Sequence, residues 1–124
     1  MRIVYSNKDP EWSGWLTFGK EYVVLSVEIY DSSQAVCRSI GDFVAYRIQV
    51  DNNTVLPCPA KIFEVISNKI PASWIFQRDS DRLYSVLPER WSRDGFWEDY
   101  YNDDPKAIQD FNNEKEKILS AEAR

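Results

Sequence analysis

The chain has 124 residues, enough to build one real core, and its 44% hydrophobic and 15% aromatic content excludes a disordered polymer despite a net charge of −5. The acid excess is uneven: residues 1–72 carry 7 basic and 8 acidic groups, whereas residues 73–124 carry 8 and 12. Such a negative field repels phosphate, which disfavours direct binding of nucleic acid or an anionic membrane and favours a basic partner.

The first ten residues, Met1 to Pro10, lack the apolar stretch of a signal peptide. No run reaches the roughly 20 apolar residues that cross a bilayer, so the expectation is a cytosolic protein. Trp12 and Trp15 flank Ser13-Gly14 and are expected to plug one end of a sheet. After the turn Phe18-Gly19-Lys20, residues Tyr22 to Tyr30 place Val23, Leu25, Val27 and Ile29 alternately with Ser26 and Glu28. That period predicts a half-buried strand with the four aliphatics inward.

A loop at Asp31 to Gln34 and a short strand at Val36 to Ile40, ended by Gly41-Asp42, come next. Phe43 to Val50 alternates again, with Val44, Tyr46, Ile48 and Val50 on one face and Arg47 and Gln49 on the other. Asp51-Asn52-Asn53 reads as a hairpin turn, because Asn and Asp tolerate left-handed backbone. The return arm Val55 to Ala60 holds Pro57 and Pro59, which cannot donate to a ladder and belong at an edge. Ile62 to Ile66 re-enters a sheet, Ile70-Pro71 breaks it with Trp74 as anchor, and Trp74 to Gln77 pairs with Leu83 to Leu87 around Asp79-Ser80-Asp81.

Beyond Pro88 the period changes. Pro88 to Trp91 opens a helical turn, with Trp91 as a lid over the strands, and Gly95 to Tyr101 forms a second turn. Asp104 caps a helix that begins at Pro105 and whose apolar stripe is Ala107, Ile108, Phe111, Ile118 and Leu119. The expected fold is α+β: a small, strongly bent antiparallel sheet or SH3-like barrel, closed by C-terminal helices. Residues 1–124 form a single domain in this reading, with a β-rich part to about residue 88 and a helical closure over 89–124.

The catalytic inventory is poor. The chain has no histidine, which removes Ser-His, Cys-His and histidine–metal chemistry, and Cys37 and Cys58 are expected to be small buried hydrophobes. The carboxylate pairs Glu98/Asp99 and Asp79/Asp81 sit on adjacent helical positions and in a turn, respectively, neither of which suits acid–base work. No catalytic residue, cofactor or metal is expected.

The densest feature is the stretch 94–104, which holds five carboxylates, four aromatic rings and no basic residue. Aromatic rings are preferred interface anchors, and clustered carboxylates attract cations. The candidate partner-binding residues are Asp94, Trp97, Glu98, Asp99, Tyr100, Tyr101, Asp103 and Asp104. An amphipathic helix start, with rings inward and carboxylates solvated, accounts for the same pattern. Both readings stay open at this stage.

The run Leu16-Thr17-Phe18-Gly19-Lys20-Glu21-Tyr22-Val23-Val24-Leu25-Ser26-Val27, together with Tyr46-Arg47-Ile48, Phe63-Glu64-Val65-Ile66, Ile70-Pro71 with Trp74, and Gly95-Phe96-Trp97-Glu98, resembles small bacterial immunity proteins of polymorphic-toxin and contact-dependent growth inhibition systems. The resemblance spans roughly residues 16–101. It implies a cytoplasmic antidote that binds one cognate toxin domain, often a basic nuclease, and blocks it stoichiometrically. An SH3-like phage or mobile-element module that binds a basic peptide, and a small carboxylate-dependent enzyme, are the alternatives.

Overall fold

The computed structural model describes residues 1–30, 44–80 and 83–123. The expected loop at Asp31 to Gln34, the strand at Val36 to Ile40, and Cys37, Phe43 and Asp81 lie outside the described residues. Eight strands are described: β1 Arg2–Tyr5, β2 Glu21–Val23, β3 Ser26–Tyr30, β4 Val44–Gln49, β5 Val55–Pro59, β6 Phe63–Ser67, β7 Trp74–Ser80 and β8 Leu83–Pro88. Short 3-10 turns at Ala60–Ile62 and Glu89–Trp91 accompany two α-helices, α1 Phe96–Tyr101 and α2 Pro105–Glu122.

The fold is mixed α+β. The strands form a three-stranded sheet in the order β2-β1-β6 and a five-stranded sheet in the order β5-β4-β3-β8-β7, with antiparallel pairing throughout. The two sheets do not close into a barrel, so the bent-sheet form of the expectation holds and the barrel form does not.

The larger sheet is covered on both faces. Its first face meets the small sheet in a core built from Ile3, Tyr5, Tyr22, Val24, Ile48, Cys58 and Ile62, with Val27, Tyr46 and Phe63 packed against it. Its second face meets the helices in a core of Leu25, Val55, Leu87, Trp91, Phe96, Ala107, Phe111 and Ile118. Trp91 is fully enclosed there, and its indole N–H donates to the Asp110 carbonyl at 3.2 Å.

This double cover corrects the register expected for residues 22–30. The chain leaves the small sheet after Val23 and joins the large one at Ser26. In between, the Val24 amide donates to the Met1 carbonyl and the Leu25 amide to that of Arg47. Of the four aliphatics expected inward only Leu25 is buried; Val23, Val27 and Ile29 are half-buried, while Ser26 and Glu28 are enclosed at 1% and 4% exposure. On β4 the expected alternation holds, yet the opposite face is not solvated, because Ala45 and Arg47 are buried as well.

Local chemistry explains the features that match. Asn53 takes φ 72 in the β4–β5 turn, and the proline-bearing β5 lies at a sheet edge. Asp104 caps α2 by accepting from the Ala107 amide at 3.0 Å. Leu119, expected in the apolar stripe of α2, is instead exposed. Trp12 is half-buried against the first core and Trp15 is 39% exposed. β1, the middle strand of the small sheet, has no counterpart among the expected elements.

Candidate functional site

The second face of the large sheet turns polar where the helical core ends. Glu28 on β3, Arg47 on β4, Asp79 on β7 and Ser85 on β8 line a cleft of about 250 Å³, with Gln77, Leu83 and Leu87 beside them and residues 91–98 as the facing wall. Antiparallel pairing puts these residues on one side of the sheet, since Glu28 is opposite both Ala45 and Ser85. The polar members of an alternating pattern are thereby gathered in one place.

Arg47 organises the floor. One of its guanidinium nitrogens donates to Glu28 Oε1 at 2.5 Å and another to the Tyr101 hydroxyl at 2.7 Å. Tyr101 in turn donates to the Val55 carbonyl. The Arg47 guanidinium also lies 4.2 Å from the centre of the Trp97 ring, within cation–π range. Asp79 accepts from Ser85 Oγ and from Gln77 Nε2. Glu28 Oε2 is buried and accepts no hydrogen bond from any described residue.

The stretch 94–104 divides between structural and exposed roles. Asp94 and Glu98 are exposed at the mouth of the cleft, with Trp97 as a half-buried wall. Trp97 lies edge-on to Trp91 at 5.6 Å and to Phe96 at 5.1 Å, and Tyr100 packs on Phe111 at 4.5 Å. Asp99 pairs with Arg93 at 2.7 Å, and Asp104 is the α2 cap. Tyr100, Tyr101 and Asp103 line a separate groove with Thr54 and Val55, from which the Tyr101 hydroxyl reaches Arg47. The eight residues therefore do not share one surface.

Glu28, Arg47, Asp79 and Ser85 were missed as site residues. For Glu28 and Arg47, the available signal was a charged side chain within each of the two alternating apolar stretches, 22–30 and 43–50. Burial pushes the Tyr101 hydroxyl up against the opposing pull of Arg47, and burial likewise raises Tyr100. Cys58 is buried and its thiol is pushed up to about 12 by that burial, against the pull of Arg47, so it is no nucleophile at neutral pH. Among the described residues no group of three or more His, Cys, Asp or Glu side chains converges as a metal site, and no helix is long and apolar enough to cross a membrane.

The fold and site thus define a two-sheet α+β protein with an acid-rimmed cleft on its helical side. Comparison with protein-family models, curated proteins and solved structures gave no match.

Proposed function

We propose that this protein is a cytoplasmic immunity protein that binds one basic toxin domain, of the nuclease type, and silences it by stoichiometric occlusion. The observation that carries the reading is the placement of Asp79 on β7 and of Asp94 and Glu98, from a distant stretch of the chain, around one cleft walled by Trp97. A toxin that cleaves nucleic acid needs a cationic groove for phosphate, and a carboxylate-rimmed surface on a chain of net charge −5 is its electrostatic complement. The resemblance of residues 16–101 to immunity proteins supplies the biological class. The mode of action is binding, not turnover.

The test is co-expression with the product of the adjacent gene, followed by titration of the purified pair. Growth rescue and loss of toxin activity at one equivalent are expected, with neutralisation unchanged by a chelator. Continued toxicity at a molar excess, or inactivation well below one equivalent, overturns the proposal.

A further inference from the structure

We propose that the cleft between the large sheet and residues 91–98 is a receptor for a single arginine side chain. The inference rests on the toxin-binding reading and names the group by which the basic partner is held.

Glu28 is the decisive residue. Its side chain is 5% exposed, and only Oε1 is engaged, by Arg47. Oε2 is buried without a hydrogen-bond partner, as is Nε of Arg47, and both side chains line the cleft. A buried carboxylate oxygen without a donor is costly, so a donor delivered from outside is strongly favoured there. Above it stand Asp79, Asp94 and Glu98. Against these four carboxylates the cleft holds two guanidinium groups, both already committed: Arg47 to Glu28 and Arg93 to Asp99. The excess charge is negative.

Size and shape narrow the occupant. A volume of about 250 Å³ lies below the roughly 300–1,000 Å³ of clefts that hold drug-sized ligands and suits one long side chain. The acceptors stand on different walls: Glu28 on the floor, Asp79 on β7, Glu98 on α1. A planar fork with five N–H donors can meet acceptors in several directions, whereas an ammonium is a compact point charge. Guanidinium is also the more weakly hydrated of the two cations, and the half-buried Trp97 offers an aromatic wall on which it packs well.

The experiment uses the purified protein without any toxin. N-acetyl-arginine-amide, N-acetyl-lysine-amide and the neutral isostere N-acetyl-citrulline-amide are titrated while amide and indole resonances are followed by NMR. Saturable shifts at Trp97, Glu28 and Asp79 are expected with the arginine compound at roughly millimolar concentration. Binding of the lysine compound should be weaker by about fivefold or more, and the citrulline compound should leave the spectrum unchanged. Glu28→Gln should remove binding. Asp79→Asn and Glu98→Gln, which leave the buried ion pair intact, should each weaken it by about threefold or more and carry the test if Glu28→Gln does not fold. Absence of saturable shifts, equal response to citrulline, or lysine binding as tight as arginine overturns the assignment. Neutralisation that survives without arginine binding would sink the receptor alone, and arginine binding without neutralisation would sink the toxin reading alone.

Discussion

Glu28 and Arg47 form a diagonal ion pair across β3 and β4, largely buried against the first helix. Ser26 faces Arg47 and Glu28 faces Ala45, so the charged residues are offset by one pleat on the same face. Their side chains are 5% and 9% exposed, and the same guanidinium reaches Tyr101 and Trp97. The pair is thereby a dock: α1 is fastened to the sheet through Arg47, and residues 94–98 take their place around the cleft because of it.

The pair predicts an asymmetry between single and double substitutions. Arg47→Met leaves Glu28 charged and alone, which should cost about 3–5 kcal/mol in urea unfolding. Glu28→Met combined with Arg47→Met removes both ions and should recover most of that loss, because well-packed apolar replacements of a buried pair are commonly neutral. A double variant as unstable as Arg47→Met would show that the hydrogen bonds to Tyr101, and not the desolvated charges, dominate.

Features set by neighbouring residues were legible in the sequence. Asn53 marks the hairpin because it tolerates positive φ, Pro57 and Pro59 mark an edge because they lack an N–H, and Asp104-Pro105 marks a helix start through the cap. β1 was not legible: Arg2-Ile3-Val4-Tyr5 is short, and only its distant partners β2 and β6 make it a middle strand. The register after Val24 failed for a related reason. Alternation tells which residues share a face, but it does not tell whether the polar face meets water or a helix. Composition flagged residues 94–104, yet their union with Glu28 and Asp79 depends on β3 and β7 flanking β8, which no local pattern encodes.

A second carboxylate predicts the pH response. Asp51 accepts from Thr17 Oγ1 at 2.7 Å, Lys20 Nζ at 2.9 Å and the Tyr22 hydroxyl at 2.8 Å. Burial alone would raise its carboxyl, but these donors together hold it below its usual value of 3.8. The unfolded chain then binds the proton more readily, so this stabilisation is present above that value and is lost as pH falls through the lower folded one. Asp51→Asn should cost about 1 kcal/mol at neutral pH, discounted for partial exposure, and the gap to wild type should close in acid. A gap independent of pH would refute the linkage.

Tyr22 works at the other end of the scale. Its hydroxyl is pushed up to about 12 by burial and by the Asp51 charge, against the pull of the Thr17 amide. The unfolded tyrosine ionises near 10 while the folded one stays neutral, so stability should fall as pH rises from about 10 through about 12. Tyrosinate absorbance should show a late-titrating group that disappears in Tyr22→Phe, and the alkaline loss of stability should flatten with it.

The backbone on either side of α1 makes a further prediction. Gly95 sits at φ 75, and a Cβ built there would meet nothing within 4 Å, so Gly95→Ala should cost about 1–2 kcal/mol from conformation alone. Asp103 holds φ 61, and Asp103→Gly should be neutral or mildly stabilising. Asp104→Ala, which removes the cap, should cost about 1 kcal/mol. Thermal melts of the three variants check the order, and a stable Gly95→Ala protein would contradict the left-handed assignment.

The last prediction separates charge from packing in the acidic stretch. Asp99 and Asp104 are engaged by Arg93 and the α2 amide, so the carboxylates free to steer a basic partner are Asp94, Glu98 and Asp103. Neutralising these three to Asn, Gln and Asn should leave the melting temperature nearly unchanged. It should slow association with a basic toxin by about tenfold at low salt and flatten the dependence on ionic strength, since long-range attraction is what salt screens. Trp97 answers differently, because its ring is a half-buried wall on Arg47 and on the Trp91 and Phe96 rings. Trp97→Ala should destabilise the fold by about 2–4 kcal/mol, while Trp97→Phe should retain much of the packing. At temperatures where each variant is folded, Trp97→Phe should accelerate dissociation and leave the salt slope of association untouched, because it removes contact area without charge. Stopped-flow binding across ionic strength, with melts as the folding control, decides the matter. A triple variant that associates at the wild-type rate would place the steering charges outside this stretch, and a changed salt slope in Trp97→Phe would mean that the ring orients the neighbouring carboxylates as well as walling the cleft.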